Sequence, residues 1–193
     1  MPLDTPSGEE PAPDGAVRLL LQSVVDVARA IFGAAAGSVF LLDDSDGALV
    51  FQAVSGAGED FLVGTRLPAD RGIAGWVAAS GEAMVVDDLA TTPVFDREFA
   101  AATSYVPRTL MAAPLVSRGR VLGVLEVLDP SPRARADLAD LDLLTLFAHQ
   151  AAIALRVAAD HAEQAARVAR ETPVADEETL VEEFRRFLRQ RAK

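Results

Sequence analysis

Cysteine is absent from this chain of 193 residues. Disulfides, thiolate nucleophiles, thiol redox cycles and pigments tethered through sulfur are thereby excluded. The lack also suits a reducing compartment, so the expected location is cytoplasmic. Lys193 is the sole lysine among 18 basic residues against 29 acidic ones, leaving a net charge of −11. Nucleic acid and anionic lipid are bound by neutralising phosphate, so neither is an expected partner. An uninterrupted membrane-length apolar run is missing too. The longest candidate, 141–159, is broken by Asp142, His149, Gln150 and Arg156, and an Arg alone at mid-bilayer costs about 2.5–3.5 kcal/mol. Residues 1–15 are rich in proline and acid and do not read as a secretory leader.

What is present is a core. Half of the residues are apolar and about a quarter charged, an ordinary globular balance. Residues 1–15 read as a flexible arm. Residues 16–32 carry two adjacent apolar stripes at helical spacing, Leu20, Val24, Val27 and Ile31 beside Leu21, Val25, Ala28 and Phe32. Apolar runs at 38–43 and 48–54 flank Asp46-Gly47, a hairpin signal. Residues 72–80 read as a short helix stopped by Gly81, and 83–86 as a short strand. Residues 87–107 show no period and suggest a binding loop or lid. Runs at 109–116 and 121–128 pair across Ser-Arg-Gly-Arg. A helical pattern over 136–170 then ends at Thr172-Pro173, and an amphipathic helix is expected over 176–191 with Leu180, Phe184, Phe187 and Leu188 on its apolar stripe. Three regions follow: an arm (1–15), a domain with its terminal helices (16–170), and a linker with a tail helix (171–193). Hairpins at both ends imply an α+β fold. A mostly antiparallel sheet has the terminal helices on one face and the irregular middle on the other.

The segments GIAGWVAASGE, VVDDLATTPVFD and PRTLMAAPLVSRGRVLGVLEVLD resemble, in order and spacing, the signature of GAF domains, and the long helix resembles that fold's closing helix. The resemblance covers roughly 17–165. It implies a GAF/PAS-like central antiparallel sheet, a pocket between one sheet face and the segment around 72–105, and dimerisation through the terminal helices. It also implies a sensory or regulatory role, with ligands in the family ranging from cyclic nucleotides to bilins, haem and small metabolites. Cyclic-nucleotide binders carry Asn-Lys-x-Phe-Asp-Glu after the last strand. Here that stretch reads DPSPRARADLAD, so such binding is not expected. Covalent bilin attachment and the family's methionine sulfoxide reductase activity both need the missing cysteine.

Glu126 lies mid-strand, and alternation puts it on one face with Leu122, Val124 and Leu128. A carboxylate there must find a partner or a wet pocket. The resemblance suggests a polar anchor for a ligand, since the sulfoxide reductases carry a pocket acid at this strand position. The other reading is an ion pair, with Arg108 as candidate. The expected pocket comprises Ile73, Trp76, Phe95, Phe99, Tyr105, Leu110, Ala112, Val124 and Glu126, with the aromatics either lining or plugging it; Trp76 reads more as core than as a ligand platform. Asp43, Asp44 and Asp46 lack the remaining ligands of a calcium loop and read as a solvated hairpin tip. His149 and His161 stand too far apart on one helix to share a metal, and neither a catalytic triad nor a phosphate loop is visible. The chain therefore reads as a non-enzymatic, small-molecule-sensing regulatory module, with no metal or resident cofactor. No output domain is recognisable in it, so it should act in trans on a signalling protein such as a kinase or regulator. Its homodimer should be seamed by Leu20, Val27, Leu155, Ala158 and Ala162. The alternative is a degenerate scaffold that binds proteins and no ligand.

Purified protein is expected to show no sulfoxide reductase turnover and no visible absorption band that survives denaturation; either one would contradict the exclusion drawn from missing sulfur.

Overall fold

Leu21, Val25, Ala28 and Phe32 are sealed from solvent along one side of the first helix, α1 (Pro13–Phe32), while Leu20, Val27 and Ile31 of the neighbouring stripe face outward. Of the two stripes in the sequence, the second therefore builds the core. The computed structural model describes residues 13–57, 62–103, 105–131 and 138–171. The 1–15 arm, except for its last three residues, and the 176–191 helix lie outside them.

After α1 the chain forms strands β1 (Ala36–Leu42), β2 (Leu49–Gly56) and β3 (Arg66–Leu67), then helix α2 (Gly72–Ser80) and strand β4 (Met84–Val86). Helix α3 (Arg97–Ala102), strands β5 (Leu110–Ser117) and β6 (Arg120–Leu128) and helix α4 (Leu138–Glu171) complete the order. The six strands make one antiparallel sheet in the order β3-β2-β1-β6-β5-β4. Its centre is the non-local pair β1–β6, which joins the N-terminal hairpin to the C-terminal one.

Both faces of the sheet are apolar. On one, Val39, Ala53, Met111, Ala113, Leu115, Leu125 and Val127 meet α1 and the inner side of α4, where Leu144, Ala148, Ala151 and Ala152 are buried. Phe32 and Phe147 meet edge to face there, 6.5 Å between ring centres. On the other, Phe40, Phe51, Val54, Leu110, Ala112 and Val124 meet α2 and the 87–107 segment through Ile73, Val77, Leu89, Phe95 and Phe99. The α+β architecture expected from the sequence is the one observed.

Two register slips break simple alternation. Val39 pairs with Ala53 and Phe40 with Phe51, so Gln52 is an extra residue, and Phe51 and Val54 reach the same face. Leu115 pairs with Gly123 and Val116 with Val121, which leaves Leu122 over. Leu122 then packs against the helix-side core and not beside Glu126, correcting the face that strict alternation assigns it. The β5–β6 turn is tight, with positive φ at both Arg118 (50°) and Gly119 (76°), as a two-residue hairpin requires. Helix α3, unexpected from the sequence, is capped by Asp96, whose side chain accepts the Phe99 N–H at 3.1 Å.

The chain divides into two units, Met1–Ala158 and Ala159–Lys193; the domain expected over 16–170 runs past that division. Residues 159–168 of the second unit are exposed helix. One helix, Asp140–Val168, meets the length and composition of a membrane span, yet within it Leu144, Ala148, Ala151 and Ala152 are spent on the sheet.

Gly123 sits so close to the Phe40 carbonyl that an added Cβ would overlap that oxygen. Gly123→Ala is therefore expected to destabilise the protein by about 3 kcal/mol or more in denaturant melts. Gly47→Ala, in an open hairpin tip with φ of 72°, should cost only about 1–2 kcal/mol.

Candidate functional site: a lidded cavity beside Glu126

Strand β6 turns Leu125 and Val127 towards the helices and Glu126 the other way, into a cavity of about 110 Å³ between the sheet and the 87–107 segment. The cross-strand partner of Glu126 is Ser38 on β1, also buried and also lining the cavity. Glu126 is only 7% exposed. No hydrogen bond or ion pair reaches its carboxyl among the described residues, and Arg108, the candidate partner, is exposed and gives its backbone N–H to Asp129 instead. Burial without a counter-charge pushes the Glu126 pKa up to about 8.

The remaining wall is mostly apolar. Phe40 and Phe51 lie 4.1 Å apart by ring centres, and Phe99 stacks on Phe51 at 6.0 Å. Of the residues expected in a pocket, Ile73, Phe95, Phe99, Tyr105, Leu110 and Glu126 line this cavity. Ala112 and Val124 are buried on the same face without reaching it. Trp76 does not line it. The indole is 39% exposed and borders a separate outer groove with Pro93, Val94 and Glu98, so both its pocket assignment and its core assignment give way. The reason is rotation on α2: Ile73, Ala74 and Val77 take the inner face, leaving Trp76 outside. Sequence reading missed Ser38, Phe40, Phe51, Arg71, Asp96 and Thr103. The one available signal was the alternation of Ser38 and Phe40 in β1, but their proximity to Glu126 depends on the β1–β6 pairing.

The 87–107 segment is tied down as a lid. At one side Arg71, at the start of α2, bridges Asp96 at 3.0 Å. At the other, the Tyr105 hydroxyl donates to Asp129, whose second oxygen accepts from the Arg108 and Thr109 N–H groups and the Thr109 hydroxyl. Burial works to raise the Asp129 pKa, but these hydrogen bonds outweigh it and hold the carboxyl below its ordinary value. Leu89 N–H also bonds the Arg108 carbonyl at 2.9 Å.

Away from the cavity, Asp43 and Asp46 are both bridged by Arg66 at 2.8 Å, and hydrogen bonds from Ser45 first, then Arg66, hold Asp43 down to about 2. No cluster fit to hold a metal occurs among the described residues, and His149 and His161 are exposed.

The GAF domain profile matches residues 17–155. A probable 3',5'-cyclic phosphodiesterase of Caenorhabditis elegans is 27% identical over 115 residues, 55% of this chain; the chain spans only 16% of that protein. The GAF domain of a phosphoenolpyruvate-protein phosphotransferase from Coxiella burnetii superposes with a TM-score of 0.68 at 21% identity, covering 76% of this chain and 86% of that one. A free methionine-R-sulfoxide reductase from Neisseria meningitidis, solved with its substrate, gives 0.61 at 25% identity over 78% and 87% of the two chains.

The raised Glu126 pKa sets the sign of a pH effect. Between its ordinary value of 4.5 and about 8 the folded chain holds a proton that the unfolded chain has lost, so stability falls as pH rises through that window. Among the described residues, the charged groups bordering the cavity are Arg71 and Asp96, already paired, with Asp129 behind Tyr105. Glu126→Gln should therefore raise Tm at pH 8 and leave it nearly unchanged at pH 4; equal shifts at both pH values would contradict the burial of this group.

Proposed function

The chain belongs to the GAF domain family, whose members are in general sensory and regulatory modules, and from that premise we propose that it is a non-enzymatic, cytoplasmic sensor whose cavity takes a small molecule. The carrying observation is Glu126, a buried and unpaired carboxyl facing the cavity. Such a group is costly in an apolar core, and its retention is explained by a ligand that satisfies it. The cavity of about 110 Å³ compares with the ~150 Å³ that admits benzene, which suits a ligand of about half a dozen heavy atoms. A cyclic nucleotide, haem or bilin would require the lid to be displaced. The reductase relative acts on methionine sulfoxide; this chain, lacking sulfur nucleophiles, would bind without reacting.

The same reading includes a homodimer through the outer sides of α1 and α4 within the first unit. Leu19, Val27 and Ile31 on α1 and Leu146, Ile153 and Val157 on α4 are exposed large apolar side chains. Exposed apolar groups in such number favour a protein interface, and two copies of the helix pair would form a four-helix bundle. Leu20 also faces outward. Of the other residues first expected at a seam, Leu155 and Ala158 are half-buried and Ala162 belongs to the second unit. The output would be a signalling partner such as a kinase, engaged in trans.

Native mass spectrometry of gently purified protein should find a dimer retaining a small non-covalent ligand. Leu146→Glu should raise the dimer dissociation constant by about a hundredfold, since two copies of a leucine worth roughly 1.5 kcal/mol each are lost, with the circular-dichroism spectrum unchanged. A wild-type monomer in sedimentation equilibrium would remove the dimer, and an empty dimer would favour the scaffold reading.

A further inference from the structure

We infer that the cavity selects a small organic ammonium ion, an amine on a short apolar body with no second charge, held between the Glu126 carboxylate and the phenylalanine rings. The inference rests on the reading of the cavity as a ligand site and names the class of ligand.

Three observations converge on it. Among the described residues lining the cavity, Glu126 is the buried carboxyl, and no cation of the described protein pairs with it, since Arg71 is engaged by Asp96. The rings of Phe40, Phe51 and Phe99 line the same cavity, and aromatic faces attract ammonium groups more strongly once water is excluded. The chain carries a net charge of −11, a field that concentrates cations and repels anions at its surface. An anion finds no comparable host. Arg71 is at the rim, more than half exposed and engaged by Asp96. The start of α2 at Gly72–Ala74 does border the cavity, as does the buried Ser38 hydroxyl, and backbone N–H donors at a helix start together with a hydroxyl could hold a ligand carboxylate. A zwitterionic amino acid is therefore the control that matters most.

The protonation balance gives a second signature. In the empty cavity the buried Glu126 carboxyl is protonated at neutral pH. When an ammonium ion binds, the carboxyl releases its proton to solvent and the resulting carboxylate pairs with the ligand. A neutral ligand accepting a hydrogen bond from the protonated acid would release none.

Titration calorimetry of the full chain at pH 7, in two buffers of different ionisation enthalpy, tests this with four probes of matched length: n-butylammonium, butan-1-ol, butyrate and the zwitterion 2-aminobutyrate. The expected result is that butylammonium binds best and releases about one proton. Glu126→Gln should weaken it by about tenfold or more and abolish the release. Phe99→Leu should weaken it by about two- to tenfold while leaving butan-1-ol unaffected, and should decide the matter should the Gln variant not fold. Butan-1-ol or butyrate binding in preference to the amine would overturn the ammonium assignment and leave the ligand site standing. 2-Aminobutyrate binding as tightly as butylammonium would overturn the single charge. Binding of none of the four at millimolar concentration would overturn both this inference and the reading of the cavity as a ligand site.

Discussion

Strands β1 and β6 run antiparallel through the middle of the sheet, and at Gly123 the absence of a side chain lets the Phe40 carbonyl come in against the backbone. That contact fixes a register in which Ser38 stands opposite Glu126. Because side chains alternate in a strand, a slip of one residue would turn Glu126 into the helix-side core and Leu125 or Val127 into the cavity. The buried acid, its serine neighbour and the Phe40 part of the aromatic wall follow from one pairing between segments more than eighty residues apart. Pairing at that separation also closes the domain, since it joins two hairpins that would each be marginal alone.

The sheet works in opposite directions on its two faces. Towards α1 and α4 it presents a filled, dry contact of aliphatic side chains and small alanines that let the helices approach closely. Towards α2 and α3 the packing is looser, and the cover is a segment tied by a few polar contacts: Arg71 with Asp96 and Tyr105 with Asp129. A lid held by surface ion pairs and single hydrogen bonds opens at much lower cost than a packed helix lifts. The cavity face is therefore the compliant one, and the helix face is the rigid one that carries the outward apolar residues. A change at Glu126 can reach the helices through β6 itself, whose Leu125 and Val127 flank the acid and pack on the opposite side.

Much of this was legible beforehand, and the failures have physical causes. The helices and strands announced themselves through period, glycine stops and turn dipeptides: α2 was bounded by Gly81, and the second hairpin by Arg118-Gly119. The short helix α3 was hidden inside a stretch without period. Its signal was Asp96 ahead of Glu98 and a run of alanines, an N-cap followed by good helix formers. Leu122 was misplaced because a bulge adds one residue and reverses the alternation behind it, which no local pattern reveals. Trp76 was misplaced because a nine-residue helix, apolar all round, does not say which of its sides faces in. Ser38 and Phe40 escaped because their place beside Glu126 depends on the non-local β1–β6 pairing, and Phe51 because the bulge at Gln52 sets its face, whereas Ile73, Phe95, Phe99, Tyr105 and Leu110 were placed by strand alternation together with the family resemblance.

The outward position of Trp76 has an optical consequence. It is the sole tryptophan of the chain, half in water and half against the Pro93–Glu98 edge of the lid. Its emission is then set by how that edge rests on α2, and not by direct contact with whatever fills the cavity. The protein thus carries one indole placed on α2 beside the lid, with no second tryptophan to dilute its signal. Lid position can be followed in the unlabelled wild-type chain by emission wavelength and quencher access, on the timescale of mixing.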